Sequence, residues 1–453
     1  MRNTTRTNRR DLLARLVLVA AVATSAGCDV DELLDVQDPD TVNPGTLDDP
    51  SVLGVVVAGA YGDFVDAING GEAYLTVSAL FSDEFHAVDT FPTRTLTDRR
   101  DQFPPEEGNT SDGTYIELQQ ARRALKDAAR RVEEFEGTAD PRYSEMKALE
   151  AFTYVFLAEG FCGAVPISEV AADGSFTYGQ PQSSGETFTA AVSLFDEAIG
   201  AGGGSLAAVG KGRALLNNAQ YAAAAAAVSG VPTDFVYFMY HSSPGTSNGL
   251  YGLQENGRYA VSNQEGGGLP FRAANDPRAP WFRDPDQLDG FDPQYALYKS
   301  LRYTAQESPV VLASGVEARL IEAEAALQNN DVAGWLAKLN GLRANVGSLM
   351  LGMVPAYAVE NPTLAPLTDP GTADARRDLM FSERAFWMYL TGHRMGDLRR
   401  LVRHYNVAQD GAFPDGSYHK GGEYGVEVAF PIDFDETNNP NYTLDQCDVT
   451  SVD

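Results

Sequence analysis

Glu383–Leu401 reads ERAFWMYLTGHRMGDLRRL, and how its charges are assigned decides the fold. The run lies inside a basic, aromatic helical segment, Asp374–His404, which Gly392 is expected to break. Glu383, Arg384, His393, Arg394 and Asp397 are the residue types of acid/base catalysis. Helical spacing gives the simpler account, because side chains three or four apart, such as His393 and Asp397, satisfy one another and fix the break at Gly392. Hydrolysis by a carboxylate pair needs the two groups about 5 to 10 Å apart across a cleft, and nothing in this run supplies one. The stretch therefore reads as scaffold, with no catalytic residue in it.

Working outward, the same periodicity recurs in pairs. Leu118, Ala121, Leu125, Ala128, Val132 and Phe135 recur at spacings of three and four from Thr114 to Glu136, the stripe of an amphipathic helix. Gly137–Pro141 breaks it, and a second helix, 141–160, carries Met146, Leu149, Thr153 and Phe156 on one face. So short a connector makes the two antiparallel. A second hairpin joins a helix bearing Phe188, Ala191, Phe195 and Ala198 to one over Lys211–Val228, stopped by Gly230 and Pro232. Val311–Gln328 and Val332–Val346 form a third. Pro50–Ile68 is a first helix, and 69–113, which holds Ser82-Asp83-Glu84, reads as a long functional loop. Serial hairpins imply a mostly α, tetratricopeptide-like array. Residues 231–310 differ, with many Gly, Pro, Asn and aromatic residues and no helical period, and read as loops and short strands.

The N-terminus carries a different message. Five arginines precede the apolar run Leu16–Ala23, which is too short for the roughly 20 residues that span a bilayer and reads as an export signal. Ser25-Ala26-Gly27-Cys28 resembles a bacterial lipobox, in which the cysteine is acylated and becomes the first residue. Arg9-Arg10 before Asp11-Leu12-Leu13 resembles a twin-arginine signal. The organisation expected is signal peptide 1–27, lipidated tether 28–45 and an α-rich body 46–453 that includes the 231–310 insert. Such a tether reaches roughly 20 Å, about twice the Debye length, so the body sits clear of the membrane's field.

Formal charge is −29 over 453 residues, and loss of five arginines and one aspartate with the signal leaves −33. No basic stripe offsets repulsion from phosphates, which excludes nucleic acid as a partner. Cys162 and Cys447 are the two thiols left after Cys28, and in an exported chain they suggest one disulfide. No His/Cys spacing suggests a metal, and no cofactor is expected. Asp284–Gly290 has acids at roughly the spacing of a calcium loop but lacks the twelfth-position glutamate, so an acidic turn is expected.

Three blocks now support a resemblance. ARLIEAEAALQNND (Ala318–Asp331) with Asn340, Leu342 and Arg343, then the Glu383–Leu401 run, then AFPIDFDETNNPNYT (Ala429–Thr443), follow the order and spacing of SusD/RagB-family nutrient-binding lipoproteins. Thr391, Met395 and Asp433 depart from that pattern. The resemblance implies helical pairs packed against a SusC-like TonB-dependent outer-membrane barrel and an irregular side that holds an oligosaccharide or peptide, without chemistry. It also implies a lipid anchor in the outer membrane facing the exterior, and the acidic run Asp29–Glu32 is similar to the surface-export signal of such lipoproteins.

A sugar site needs aromatic platforms beside amide, Arg or carboxylate groups. The segment Tyr251–Trp281 interleaves Tyr251, Tyr259, Phe271 and Trp281 with Asn256, Arg258, Asn263, Arg272 and Asn275, and Asp83 and Glu84 are expected to face the same cleft. An exported glycan hydrolase and a structural helical-repeat adaptor are the competing expectations.

Overall fold

In the computed structural model, which describes residues 49–103, 110–171 and 175–453, the helical stripes become helices that stack in order along the chain. The helices are α1 (Leu53–Asn69), α2 (Tyr74–Phe81), α3 (Pro92–Arg99), α4 (Thr110–Glu136), α5 (Pro141–Gly160), α6 (Ser184–Gly200), α7 (Gly204–Asn217) and α8 (Tyr221–Val228). They continue as α9 (Gly249–Glu255), α10 (Gly315–Gln328), α11 (Val332–Ala344), α12 (Val346–Met353), α13 (Ala373–Trp387), α14 (Arg394–Tyr405) and α15 (Gln409–Ala412). Helix α4 packs on α5, α5 on α6, α6 on α7, α7 on α8, α8 on α10 and α10 on α11. Residues 53–453 form one unit; the expected signal peptide, Cys28 and the 28–45 tether lie outside the described residues.

Local chemistry sets the boundaries. Asp140 caps α5 by accepting from the Arg142 N–H, with Pro141 at the first helical position. Ser183 and Glu186 form a reciprocal capping box on α6, and Ser314 accepts from the Glu317 N–H to start α10. Lys211–Val228, expected as one helix, is two, because the chain turns through Ala219 at φ 55° between α7 and α8.

Short strands connect these helices to the irregular side: β1 (Phe85–Ala87), β2 (Val165–Pro166), β3 (Glu169–Val170), β4 (Phe176–Thr177), β5 (Pro181–Gln182), β6 (Val236–Met239), β7 (Tyr259–Val261), β8 (Trp281–Phe282), β9 (Lys299–Ser300) and β10 (Val310–Ser314). All pair antiparallel in two-stranded ladders: β1 with β7, β2 with β5, β3 with β4, β6 with β10 and β8 with β9. The expected helix over Val311–Gln328 therefore begins as strand, since the buried run Val310–Ser314 pairs with Val236–Met239 and the helix starts only at Gly315. A Cβ on Gly315 would lie 2.0 Å from the Pro232 carbonyl oxygen, so glycine is required where the two segments meet.

The expected loop over 69–113 is also corrected. YLTVSALF forms α2 with all eight residues buried; its two polar side chains need no water, because Thr76 donates to the Gly71 and Ala73 carbonyls and Ser78 to that of Leu75. Strand β1 and helix α3 follow it.

The Glu383–Leu401 run explains why the array holds together. It straddles the junction of α13 and α14, with Leu390 and Gly392 at positive φ (54° and 73°), and each charge reaches a different element. Glu383 accepts from Arg278 (2.7 and 3.1 Å) and from Arg343 (2.6 Å). Asp397 accepts from Arg384 (3.0 Å twice) and Arg400 (2.9 Å), and Arg400 also grips Glu324 of α10 (2.8 and 2.9 Å). Arg399 donates to the Ala158, Glu159 and Phe161 carbonyls, closing the C-terminal end of α5. The expected His393–Asp397 side-chain pair does not form. His393 Nε2 lies 3.0 Å from both Arg213 Nη1 and Glu317, and Asp397 turns to the arginines instead. Buried charges are tolerated when paired in this way, and removing one partner costs about 3–5 kcal/mol.

A disulfide joins Cys162 to Cys447, 285 residues on. Around it the Phe430 N–H donates to the Gly160 carbonyl (2.8 Å) and the Cys162 N–H to the Phe430 carbonyl (3.0 Å), so the tail lies against the end of α5.

Candidate functional site

The β1–β7 ladder pairs Phe85 with Val261 and Ala87 with Tyr259, and its backbone bonding continues past both strands. The Val88 N–H donates to the Arg258 carbonyl (2.9 Å), the Asp292 N–H to the Val88 carbonyl (2.9 Å) and the Phe291 N–H to the Gly257 carbonyl (2.7 Å). Three separate segments are thereby placed side by side, and they carry Asp89 and Phe91, Arg258, and Phe291 and Tyr295. Close approach at their centre requires Gly290, where a Cβ would stand 2.4 Å from the Val88 carbonyl oxygen.

Asp89 is the hub of the face. Its carboxylate accepts from Arg94, from Arg258 Nη1 (2.8 Å) and from the Thr90 N–H (2.7 Å). Burial alone would raise its pKa, but the hydrogen bonds from the two arginines outweigh burial and hold the carboxyl below its ordinary range. Each arginine also backs an aromatic ring: Arg94 stands 4.8 Å from the Phe91 centroid and Arg258 3.6 Å from that of Phe291. These rings are 54% and 53% exposed, which is unusual for phenylalanine. The loop 418–420 closes the edge. Lys420 lies 4.8 Å from the Tyr295 ring and 3.6 Å from Asp292, and His419 Nε2 is 2.8 Å from the Ala87 carbonyl oxygen.

Half-exposed rings held by guanidinium groups offer the apolar surface on which the faces of a sugar pack, and the buried Asp89 carboxylate fixes both guanidiniums from behind without itself reaching solvent. Asp89 is engaged by two arginines and Asp292 faces Lys420, so neither is a free acid or base. Among the described residues no group of three or more His, Cys, Asp or Glu side chains is placed to hold a metal.

The residues expected from sequence divide between core and surface. Tyr259 and Phe271 are fully buried: Tyr259 donates to Glu72 (3.1 Å), and Phe271 packs against Tyr389 with centroids 4.7 Å apart. Asp83 and Glu84 are also buried, Asp83 gripped by Arg394 and Glu84 accepting from the Leu390 N–H (2.7 Å). These four side chains serve the scaffold instead of lining an open cleft. Tyr251 is half-buried, while Asn256 and Asn275 are exposed, Asn256 at the end of α9. Asn263 accepts from the Ala273 N–H (2.7 Å) within its own loop. Arg272 and Trp281 do meet: the Trp281 indole N–H donates to the Arg272 carbonyl (3.0 Å), and both contact Tyr298, the guanidinium 3.9 Å from its centroid. Asp284 pairs with Lys299 (3.0 Å) and accepts from the Asp286 N–H (3.0 Å), an acidic turn.

Sequence reasoning passed over Phe91, Arg94, Phe291, Tyr295, His419 and Lys420. The available signal was an aromatic residue beside proline in a polar stretch, Phe91-Pro92 and Phe291-Asp292-Pro293.

A serial helical array bearing a face built from loops and short two-stranded ladders defines the class: this is the SusD-like fold. The chain is similar to a laminarin-binding SusD-like protein (TM-score 0.63, 15% identity, 87% of this chain and 100% of that one). It is similar to a SusD-like carbohydrate-binding protein from Bacteroides vulgatus (TM-score 0.57, 17% identity, 77% and 82%). A SusD/RagB family protein from Bacteroides thetaiotaomicron matches as well (TM-score 0.56, 15% identity, 85% and 94%). No family model matches the sequence, and no curated protein does. The likeness is one of fold, at 15–17% identity.

Proposed function

We propose that this protein is a nutrient-binding lipoprotein of the SusD/RagB kind, which captures an oligosaccharide at the Asp89 face and passes it unchanged to a SusC-like TonB-dependent barrel. It is anchored in the outer membrane through acylated Cys28 and faces the cell exterior. The observation that carries this reading is the pair of half-exposed rings, Phe91 and Phe291, each backed by an arginine bound to the same carboxylate. The engaged state of Asp89 and Asp292 favours binding over hydrolysis.

The test is a calorimetric screen of glycans against the wild-type chain and the Phe91→Ala and Phe291→Ala variants, with the ligand recovered afterwards. Saturable binding that falls at least tenfold in both variants, with the glycan returned intact, is the expected outcome. Unchanged affinity in both would reject the site, and released product would reject a binding-only role. Co-purification from native membranes, with Cys28→Ala as control, tests the barrel and the anchor.

A further inference from the structure

A second concave site, sharing no residue with the Asp89 face, lies between α4, the hairpin formed by β2–β5 and the segment 433–439. Its volume is about 710 Å³, within the range of sites that enclose organic ligands. One wall is apolar, with Ile116, Pro166 and Val170, and its rim is Phe176 and Tyr178, 53% and 45% exposed.

The cradle is held rigid from both sides. Gln119 donates to the Pro166 carbonyl (3.0 Å) and Arg122 to that of Ser168 (2.6 Å), pinning one strand of the hairpin to α4. Asn439 donates to the Gly179 carbonyl (2.9 Å) and Asn441 to that of Tyr178 (3.1 Å), pinning the other strand to the C-terminal segment. Most amide and guanidinium donors around the groove are therefore spent on its own backbone. The opposite lip is anionic: Asp433, Asp435 and Glu436 have no cation partner among the described residues, and Arg122 is turned toward Glu169 (3.2 Å). Arg123 is the one cation of the lining that forms no ion pair among the described residues.

Two observations separate ligand classes. The Phe176 and Tyr178 rings meet edge to face at 71°, with centroids 4.8 Å apart, so they bound a slot for a side chain and do not form the flat platform on which a sugar ring stacks. A hydroxyl-rich ligand would also find few free donors, whereas a cation would find the Asp433 and Asp435 carboxylates, with Glu436 adding negative charge although its oxygens already accept from Tyr115 (3.0 Å) and Asn439 (2.9 Å). We infer that this groove docks an extended peptide segment, seating an apolar or aromatic side chain between Ile116 and the Phe176–Tyr178 rim with a neighbouring lysine or arginine against Asp433, Asp435 and Glu436.

The test is fluorescence anisotropy with fluorescein-labelled Leu-Lys-Phe-Lys-Leu and its counterpart Leu-Glu-Phe-Glu-Leu, titrated with the full chain. The lysine peptide should bind saturably and at least tenfold more tightly than the glutamate peptide. Phe176→Ala with Tyr178→Ala should weaken it at least tenfold while circular dichroism stays unchanged. Asp435→Asn should cost about threefold and flatten the salt dependence. No saturable binding, equal affinity for the two peptides, indifference to the double variant, or displacement by a neutral glucohexaose would each overturn the assignment.

Discussion

Arg394 closes a two-pronged grip on Asp83, at 2.5 and 2.7 Å, across 311 residues of sequence and with both side chains buried. The pair ties the first residue of α14 to the turn after α2, and the Leu269 N–H adds a third bond to the same carboxylate (2.8 Å). Burial pushes the Asp83 carboxyl up, but the adjacent guanidinium and these hydrogen bonds bring it below its ordinary value.

Breaking that pair from one side leaves a buried charge without a partner. Arg394→Met is expected to lose about 3–5 kcal/mol by urea denaturation, and Asp83→Asn a comparable amount. The double variant should lose less than the two together, which a double-mutant cycle reads directly. The sign of the pH effect follows from the depressed carboxyl: its contribution is complete above the unfolded value near 4 and is lost as pH falls through the folded one. A pair that proved additive would show that Asp83 and Arg394 act independently.

Glu84, one residue along, behaves oppositely. Burial pushes its carboxyl up to about 8, against the Leu390 N–H that favours ionisation. A carboxyl raised on folding contributes fully below its unfolded value of about 4.5 and loses that contribution as pH rises toward 8. Glu84→Gln keeps an acceptor for Leu390 and removes the titration. Its stability relative to wild type should therefore rise steadily between pH 4.5 and 8, and a flat difference would refute the assignment.

Reduction of the Cys162–Cys447 bridge should release the C-terminal tail. The bridge closes a loop of 285 residues, and loss of such a link costs about 2–5 kcal/mol. Cys447→Ser is expected to lower the melting temperature and to expose the region after Phe430 to protease. Equal melting temperatures under oxidising and reducing conditions would count against it.

At the Asp89 face, Arg258→Lys preserves charge but loses the planar group that covers Phe291 while donating to Asp89. Glycan affinity should fall about fivefold or more with little change in stability, since Arg258 is only partly buried. Gly290→Ala, by contrast, should reduce both, because its Cβ forces the Phe291 segment away from Val88.

The sequence by itself determined what is local or periodic. Helices α4 and α5 were legible because their stripes repeat every three to four residues and Gly137, Asp140 and Pro141 punctuate them. The scaffold role of Glu383–Leu401 was legible too, since its charges at helical spacing face no cleft, although their partners were not: His393 meets Arg213 and Glu317, and neither lies near it in the chain. Helix α2 was not legible, because it falls inside the loop expected over 69–113, although Tyr74–Phe81 holds only Thr76 and Ser78 as polar residues. Tertiary structure alone decided which aromatics reach solvent. Tyr259 and Phe291 look alike as letters in a polar stretch, yet β7 pairs with β1 and turns Tyr259 into the core, while the Gly257–Phe291 bond leaves Phe291 outside. The Asp89 face joins residues near 90, 258 and 291 through a few backbone bonds and adds 419–420 through side chains, and such pairings between distant segments leave no period for a sequence to display.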